Sequence, residues 1–374
     1  MKFLFACGGT AGHINPAIAV AGRLGELMEG SEFLFVGAGR ELENKLIAGA
    51  GYPLEKVDIT GLRRSISPKA IQENAKLLRN LVVSGRESAA LLKKFRPDAV
   101  IGTGGYVCYP VLKEAKKMGI PTFMHESNAV PGLTTKLLAG KVDVMMVAFP
   151  EAAKEYRHPE NVAVTGTPVR RGFSRIGRAA ARKQLGLGGE PLAVSFWGSL
   201  GASKMNEIMA EFLAENNRQR AFRQIHATGG GEQGRRRMME LLSSRGADQL
   251  WTGIDVRAYI DNMDVVMNAA DVVLCRAGAS TIAELTALGK PSVLVPSPNV
   301  TNHHQEKNAA AMGKAGGALV LPEGECTGEK LFEAVRALLS DGERLRKMEK
   351  AAAAAGAGNA TDRIVEIILS RLTK

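Results

Sequence analysis

The sequence predicts an α/β protein of two doubly wound, parallel-sheet domains, and three observations lead there. Short apolar runs alternate with helical stretches along the whole chain, and glycine-rich turns recur at the carboxyl ends of those runs. The 374 residues are also too many for one open-sheet domain and suit two. Residues 3–6, 33–36, 99–101, 122–124 and 142–147 read as buried parallel strands, being short, continuous and apolar, with amphipathic helices between them. A second series at 192–197, 223–227, 272–275 and 292–295 repeats the pattern, so both halves are expected to be Rossmann-like. The boundary falls at Thr165-Gly166-Thr167-Pro168, which gives domains of 1–165 and 166–356. Beyond it, Thr361 is expected to N-cap a last helix carrying Ile364, Val365, Ile368 and Leu369, so that 357–374 packs back on the first domain.

Composition narrows the function. Hydrophobic residues are 45% and charged residues 23%, the balance of a chain that buries a core. A net charge of +11 draws the protein towards phosphates of nucleotide, nucleic acid or anionic lipid without choosing among them. Aromatics are only 5%, the basic residues are dispersed and no recognition motif is present, which disfavours a nucleic-acid-binding module. Cys7, Cys108, Cys275 and Cys326 lie far apart without CxxC spacing, as reduced thiols do, and suggest neither a disulfide framework nor zinc. The opening apolar run is too short for a leader, and no window approaches the ~18 apolar residues of a membrane span, so membrane contact is expected to be peripheral.

The chemistry sits in the turns. Gly8-Gly9-Thr10-Ala11-Gly12-His13 follows the first strand and precedes a helix expected at 16–27, where backbone N–H groups and a helix N-terminus face phosphate. Its spacing is not GxGxxG, and Gly37-Ala38-Gly39-Arg40 stands where a dinucleotide site wants an acid. Gly102-Thr103-Gly104-Gly105-Tyr106 repeats the arrangement, and two such loops in one domain can cradle a pyrophosphate. His125-Glu126-Ser127-Asn128 places His and Glu at a strand's carboxyl end, where α/β sites keep acid–base groups. In the second half, Trp197-Gly198-Ser199-Leu200-Gly201-Ala202 is a third candidate phosphate loop. Residues 276–281 lead to Glu284, whose carboxylate can accept both hydroxyls of a ribose, although Ser280 with Glu284 alone would equally make a cap. The adjacent His303 and His304 point to different helix faces, so no metal site is read there.

GGTAGHINPA, ITGLRRS, GTGGYVCYP, HESNAVPG, GTPVR, GSLGAS, RAGASTIAEL and PSPNVTNHHQEKNA follow one another in that order. Together they make the chain resemble, over nearly its whole length, the peptidoglycan glycosyltransferases that form lipid II, the MurG type. The resemblance implies a GT-B architecture, two Rossmann-like domains facing across a cleft. It implies inverting transfer of N-acetylglucosamine from UDP-GlcNAc to the 4-hydroxyl of the muramoyl sugar in lipid I, the undecaprenyl-pyrophosphoryl-linked pentapeptide precursor, in cell-wall biogenesis. Donor contacts carried over by residue are Thr10, Ala11, Gly12, Asn128, Arg170, Ser199, Ile260, Ala279, Ser280, Thr281, Ile282, Ala283, Glu284 and Gln305. Gly104, Gly105 and Tyr106 fall on the acceptor side.

Two positions depart from the family. Ala11 replaces a glycine and is expected to crowd the first loop, and Cys108 replaces a frequent serine and is expected to weaken hydrogen bonding in the acceptor loop. The base is expected to be His13 or Glu126; His13 is preferred because its neutral form is ready near pH 7, the alternatives being that it only hydrogen-bonds the diphosphate or positions substrate. Without a DxD pair beside a donor loop, helix N-termini, Ser199 and Arg170 are expected to steady the leaving diphosphate, with no obligatory metal or cofactor. The stripe Ile71, Ala75, Leu78, Val82 and Ala89, ringed by Lys69, Lys76, Arg79, Arg86, Lys93 and Lys94, is expected to rest on the anionic inner leaflet. That places the enzyme at the cytoplasmic face of the membrane, with cell-wall synthesis and division proteins as partners. A UDP-GlcNAc 2-epimerase of similar fold is the rival, needing no lipid acceptor; ITGLRRS and GGYVCYP favour the transferase.

Overall fold

The computed structural model describes residues 1–59, 68–170, 176–198, 200–300, 303–356 and 358–372, without the side chains of 68–79 and 81. They form two compact units, Met1–Arg170 with Ala357–Lys374, and Arg171–Gly356.

The first unit is built on β1 (Lys2–Cys7), β2 (Glu32–Gly37), β3 (Leu54–Lys56), β4 (Ala99–Gly104), β5 (Thr122–Glu126), β6 (Val144–Val147) and β7 (Val162–Val164). Its helices are α1 (Ala11–Leu27), α2 (Glu41–Gly49), α3 (Pro68–Phe95), α4 (Cys108–Lys117), α5 (Leu133–Leu138) and α6 (Pro150–Ala153). The strands are all parallel in the order β3-β2-β1-β4-β5-β6-β7. Helices cover both faces, which is why β1 is apolar without a break: Phe3, Phe5 and Cys7 pack towards α1, and Leu4 and Ala6 towards α4. The chain leaves β1 to one side and β4 to the other, so the loops after these strands diverge and open a crevice at their carboxyl ends.

The second unit repeats this plan with β8 (Leu192–Phe196), β9 (Arg223–Ala227), β10 (Ile254–Arg257), β11 (Val272–Cys275), β12 (Ser292–Leu294) and β13 (Ala318–Val320), ordered β10-β9-β8-β11-β12-β13. Its helices are α7 (Arg178–Gln184), α8 (Ser203–Gln219), α9 (Gly231–Ser243), α10 (Met263–Ala269), α11 (Ala279–Leu288), α12 (His304–Ala315), α13 (Gly328–Ser340) and α14 (Gly342–Ala355). The last helix, α15 (Ala360–Leu372), buries Ile364, Val365 and Ile368 in the α1 face of the first unit.

Several local expectations are corrected. Helix α1 starts at Ala11, not residue 16, and Pro16 lies inside it, where it lacks the N–H that would bond the preceding turn. Thr361 does not cap α15 but sits within it; its hydroxyl accepts from Val169 N at 3.2 Å and donates to Val169 O at 3.1 Å. Residues 142 and 143 precede β6, because the Asp143 carboxylate is engaged with the Thr122 N–H and hydroxyl. On α3 the described face that packs inward runs through Ser84, Ser88 and Leu92, spaced by four, whereas Val82 is 57% exposed and Ala89 half-buried. The side chains of Ile71, Ala75 and Leu78, and of Lys69, Lys76 and Arg79, lie outside the described residues.

At the amino ends of β11 and β12, away from the crevice, the buried Lys290 donates to Asn268 O at 2.7 Å and Ala270 O at 2.8 Å and so closes the end of α10. Burial, helped by Arg178, pushes its ammonium down to about 8. A folded value below the unfolded one means that charged Lys290 costs stability below pH 8, and that this cost is relieved as pH rises from there towards 10.5. Lys290→Met is expected to destabilise by about 2 kcal/mol near pH 7.5 by leaving two buried carbonyls bare. The gap from wild type should widen by about 1.4 kcal/mol per pH unit above pH 8, measured by urea unfolding at pH 7.5 and 9.5.

Candidate active site

In the first unit the loops after β1 and β4 meet around His13. The His13 Nδ1 lies 2.8 Å from Gly8 O. A carbonyl only accepts, so Nδ1 carries the proton and, in the neutral ring, Nε2 holds the lone pair. The β4 loop closes on this ring: a Cβ on Gly104, whose φ is +127°, would come within 2.3 Å of His13 Cδ2. A Cβ on Gly105, at φ +93°, would come within 2.6 Å of Gly8 O. Thr103 Oγ1 donates to His13 O at 2.7 Å, and Gly8 N donates to Gly104 O at 3.2 Å. These contacts fix the first turn of α1, and the partly exposed Tyr106 follows on the same loop.

Thr10 is the residue before α1, with extended backbone and no capping bond from its exposed hydroxyl. The first helical bond into this turn comes from His13 N, so the amides of Ala11 and Gly12 lead the helix. Ala11 is the first residue of α1, and among the described residues the non-glycine positions with positive φ are Arg96, Arg220 and His303, so the Ala11 backbone does not need a glycine. The Cys108 thiol is buried and turned inward, 3.1 Å from Ala6 O and 3.2 Å from Gly104 O. It braces the β1 and β4 ends from behind, and burial pushes its titration up to about 12.

The loop after β5 is organised by Glu126. One carboxylate oxygen accepts from Asn128 N and Nδ2 at 2.9 and 3.0 Å, and the other from Gly132 N at 2.9 Å and Thr135 Oγ1 at 2.7 Å. Four donors leave little lone-pair capacity for a substrate proton, so this geometry suits a loop anchor better than a base. His125 is buried and lies 2.8 Å from Gly166 O, tying β5 to the segment after β7; burial lowers its titration, keeping it neutral. Arg170 is the exposed last residue of this stretch of the unit.

In the second unit the loops after β8 and β11 flank the equivalent reversal of strand order. Gly198 and Gly201 have φ of +96° and +74°, and Ser199 between them lies outside the described residues. Ala279, Ser280, Thr281, Ile282, Ala283 and Glu284 form the first turns of α11; Ala279 and Ile282 are buried, while Ser280, Thr281, Ala283 and Glu284 are partly exposed. Gln305, on α12, accepts from Ser297 N at 2.9 Å, and the buried Asn308 donates to Ala277 O at 3.1 Å, tying α12 to the β11 loop. Ile260 is buried.

Three features escaped the sequence reading. Glu43, fully buried on α2, accepts from Gly9 N and Arg40 N. Gly229, Gly230 and Gly231 after β9 all have left-handed backbone, and a Cβ on Gly229 would lie 2.3 Å from Gly201 N, so this loop stacks directly on the β8 loop. Three consecutive glycines after an apolar run were the available signal. Arg276 pairs with Glu323, donates to Val295 O at 3.0 Å and lies over the Trp197 ring, which binds the β8, β11 and β12 loops together. Among the described residues no group of three or more His, Cys, Asp or Glu could hold a metal ion, and no helix is long and apolar enough to cross a membrane.

Residues 3–147 match the glycosyltransferase family 28 N-terminal domain and residues 194–364 the glycosyltransferase family 28 C-terminal domain. The chain is 40% identical over 369 residues, 98% of its length and 97% of the relative's, to the UDP-N-acetylglucosamine–N-acetylmuramyl-(pentapeptide) pyrophosphoryl-undecaprenol N-acetylglucosamine transferase of Acetivibrio thermocellus. The chain belongs to this glycosyltransferase family. A transferase of the same name from Desulforamulus reducens is 37% identical, covering 98% of each chain. Among solved structures, Acinetobacter baumannii MurG is similar with a TM-score of 0.72 at 26% identity, covering 99% of both chains. The UDP-GlcNAc 2-epimerase of Neisseria meningitidis, bound to UDP-GlcNAc, has a TM-score of 0.65 at 16% identity over 99% of this chain and 100% of its own, and shares the fold alone.

Proposed function

We infer that the protein is a hexosyltransferase that moves GlcNAc from UDP-GlcNAc to the 4-hydroxyl of MurNAc in undecaprenyl-pyrophosphoryl-MurNAc-pentapeptide, converting lipid I to lipid II. The observation that carries this reading is end-to-end identity of 40% to transferases named for that reaction. The epimerase alternative rests on a shared fold at 16% identity or less and falls behind.

The reaction is a single displacement. As the acceptor oxygen bonds to the anomeric carbon, the bond from that carbon to the β-phosphate oxygen breaks, UDP departs with the electron pair, and the acceptor proton passes to a base. His13 is that base: Nδ1 is held by Gly8 O, which leaves Nε2 to receive the proton. Glu126 positions Asn128 by holding its loop. Thr10, Ala11 and Gly12 offer hydroxyl and amides to the donor, Gly104, Gly105 and Tyr106 shape the acceptor side, and Glu284 on α11 takes the ribose hydroxyls. Ser199, Ile260, residues 279–283, Gln305 and Arg170 complete the donor contacts. Helix N-termini, Ser199 and the Arg170 charge stabilise the departing diphosphate without an obligatory metal.

Work at the cytoplasmic membrane face fits a lipid acceptor and the exposed Val82 and Val83 beside Arg86 on α3. The deciding experiment follows labelled GlcNAc from UDP-GlcNAc onto a short-chain lipid I analogue, with and without EDTA. β-1,4-linked product at equal rates in both is expected; epimerised UDP-sugar without transfer would overturn the assignment, and loss of product in EDTA would overturn metal independence.

A further inference from the structure

We propose that Glu43 is a positioning residue for His13, acting through the Gly8–Gly9 peptide group as the far end of a carboxylate–peptide–imidazole relay. Gly8 C=O and Gly9 N–H belong to one peptide unit. On its nitrogen side, Gly9 N donates to Glu43 Oε1 at 2.9 Å; on its oxygen side, Gly8 O lies 2.8 Å from His13 Nδ1. An anionic acceptor on the N–H draws electron density towards the carbonyl oxygen, so Gly8 O becomes a stronger acceptor for the imidazole Nδ1–H. The ring is thereby held in one tautomer and orientation, with Nε2 bare, and positive charge arriving on it is stabilised. No proton leaves Gly9; the relay acts by polarisation alone.

The surroundings are cut to this carboxylate. Glu43 is fully buried, and its second oxygen accepts from Arg40 N at 3.0 Å, the amide that opens α2. A Cβ on Gly8 would stand 2.7 Å from Glu43 Oε1, and one on Gly37 2.6 Å from Oε2. Two glycines at the ends of β1 and β2 thus leave the space that the acid fills. The arrangement also spends the Gly9 N–H, so phosphate binding in this loop falls to Thr10, Ala11 and Gly12.

The relay rests on His13 as base, and its test is arranged to fail separately from that reading. In ligand-free protein with 15N-labelled histidine, His13 should be the Nδ1–H tautomer; finding Nε2–H in the wild type overturns the relay without any variant. In Glu43→Gln the Nε2–H form should appear, because an amide accepts at only one end and carries no charge. The kcat of the variant should fall about 10-fold or more, with UDP affinity unchanged within about 2-fold. Glu43→Asp, which keeps the charge with shorter reach, should retain most of the Nδ1–H form. A Glu43→Gln enzyme that loses stability and rate while His13 keeps its tautomer would make Glu43 structural only and sink the proposal. If His13→Ala kept its chemical rate, the base assignment would fail while the tautomer measurement still decided the relay.

Discussion

Replacing His13 with alanine is expected to lower the single-turnover rate of GlcNAc transfer by about 10²- to 10⁴-fold, the range that loss of a positioned base produces. The side chain sits in the first turn of α1, fixed by Gly8 O at Nδ1 and by Thr103 Oγ1 at its own carbonyl, so the loss would come without unfolding the helix. The residues proposed to bind nucleotide lie largely on the second unit, and UDP affinity should therefore hold within a few-fold. Rapid quench at saturating donor and acceptor measures the step. A variant that kept its rate while losing donor affinity would reassign His13 to diphosphate binding.

A methyl group at residue 104 should do nearly as much. At φ +127° an alanine is strained in any surroundings, at a cost of about 1–3 kcal/mol. Its Cβ would also fall 2.3 Å from His13 Cδ2 and 2.8 Å from Nε2, which forces the ring out of place. Displacing a reacting group by about 1 Å can cost 10²-fold, so Gly104→Ala is expected to lose about 10²-fold in kcat and several degrees in Tm. An active, fully stable Gly104→Ala enzyme would show that the ring position is not critical.

Much of this was legible in the sequence because parallel strands buried on both faces write themselves as continuous apolar runs. The strands β1, β2, β4, β8 and β11 are of that kind, and β5 is so over residues 122–124. The three-residue edge strands β3, β7 and β13 were not, since they are too short for any periodicity and are only partly buried. Glycine loops announced the crevice, but sequence could not say where hydrogen bonds go. Glu126 looked like a base beside His125 until its four donors were visible. Nothing in the sequence marked Glu43, which lies 34 residues from the amide whose hydrogen bond it accepts. That the Cys108 thiol faces inward was likewise not legible, because packing decides it and not neighbours in the chain.

Helix α15 has a consequence for how the molecule is made. The first unit takes Ile364, Val365 and Ile368 into its core, and Thr361 clasps Val169 where the chain first leaves that unit. During synthesis its seven strands emerge from the ribosome early, but the piece that completes them follows the entire second unit. Until α15 emerges the α1 face lies open, so the nascent protein carries an uncovered apolar surface while the whole second unit is being made.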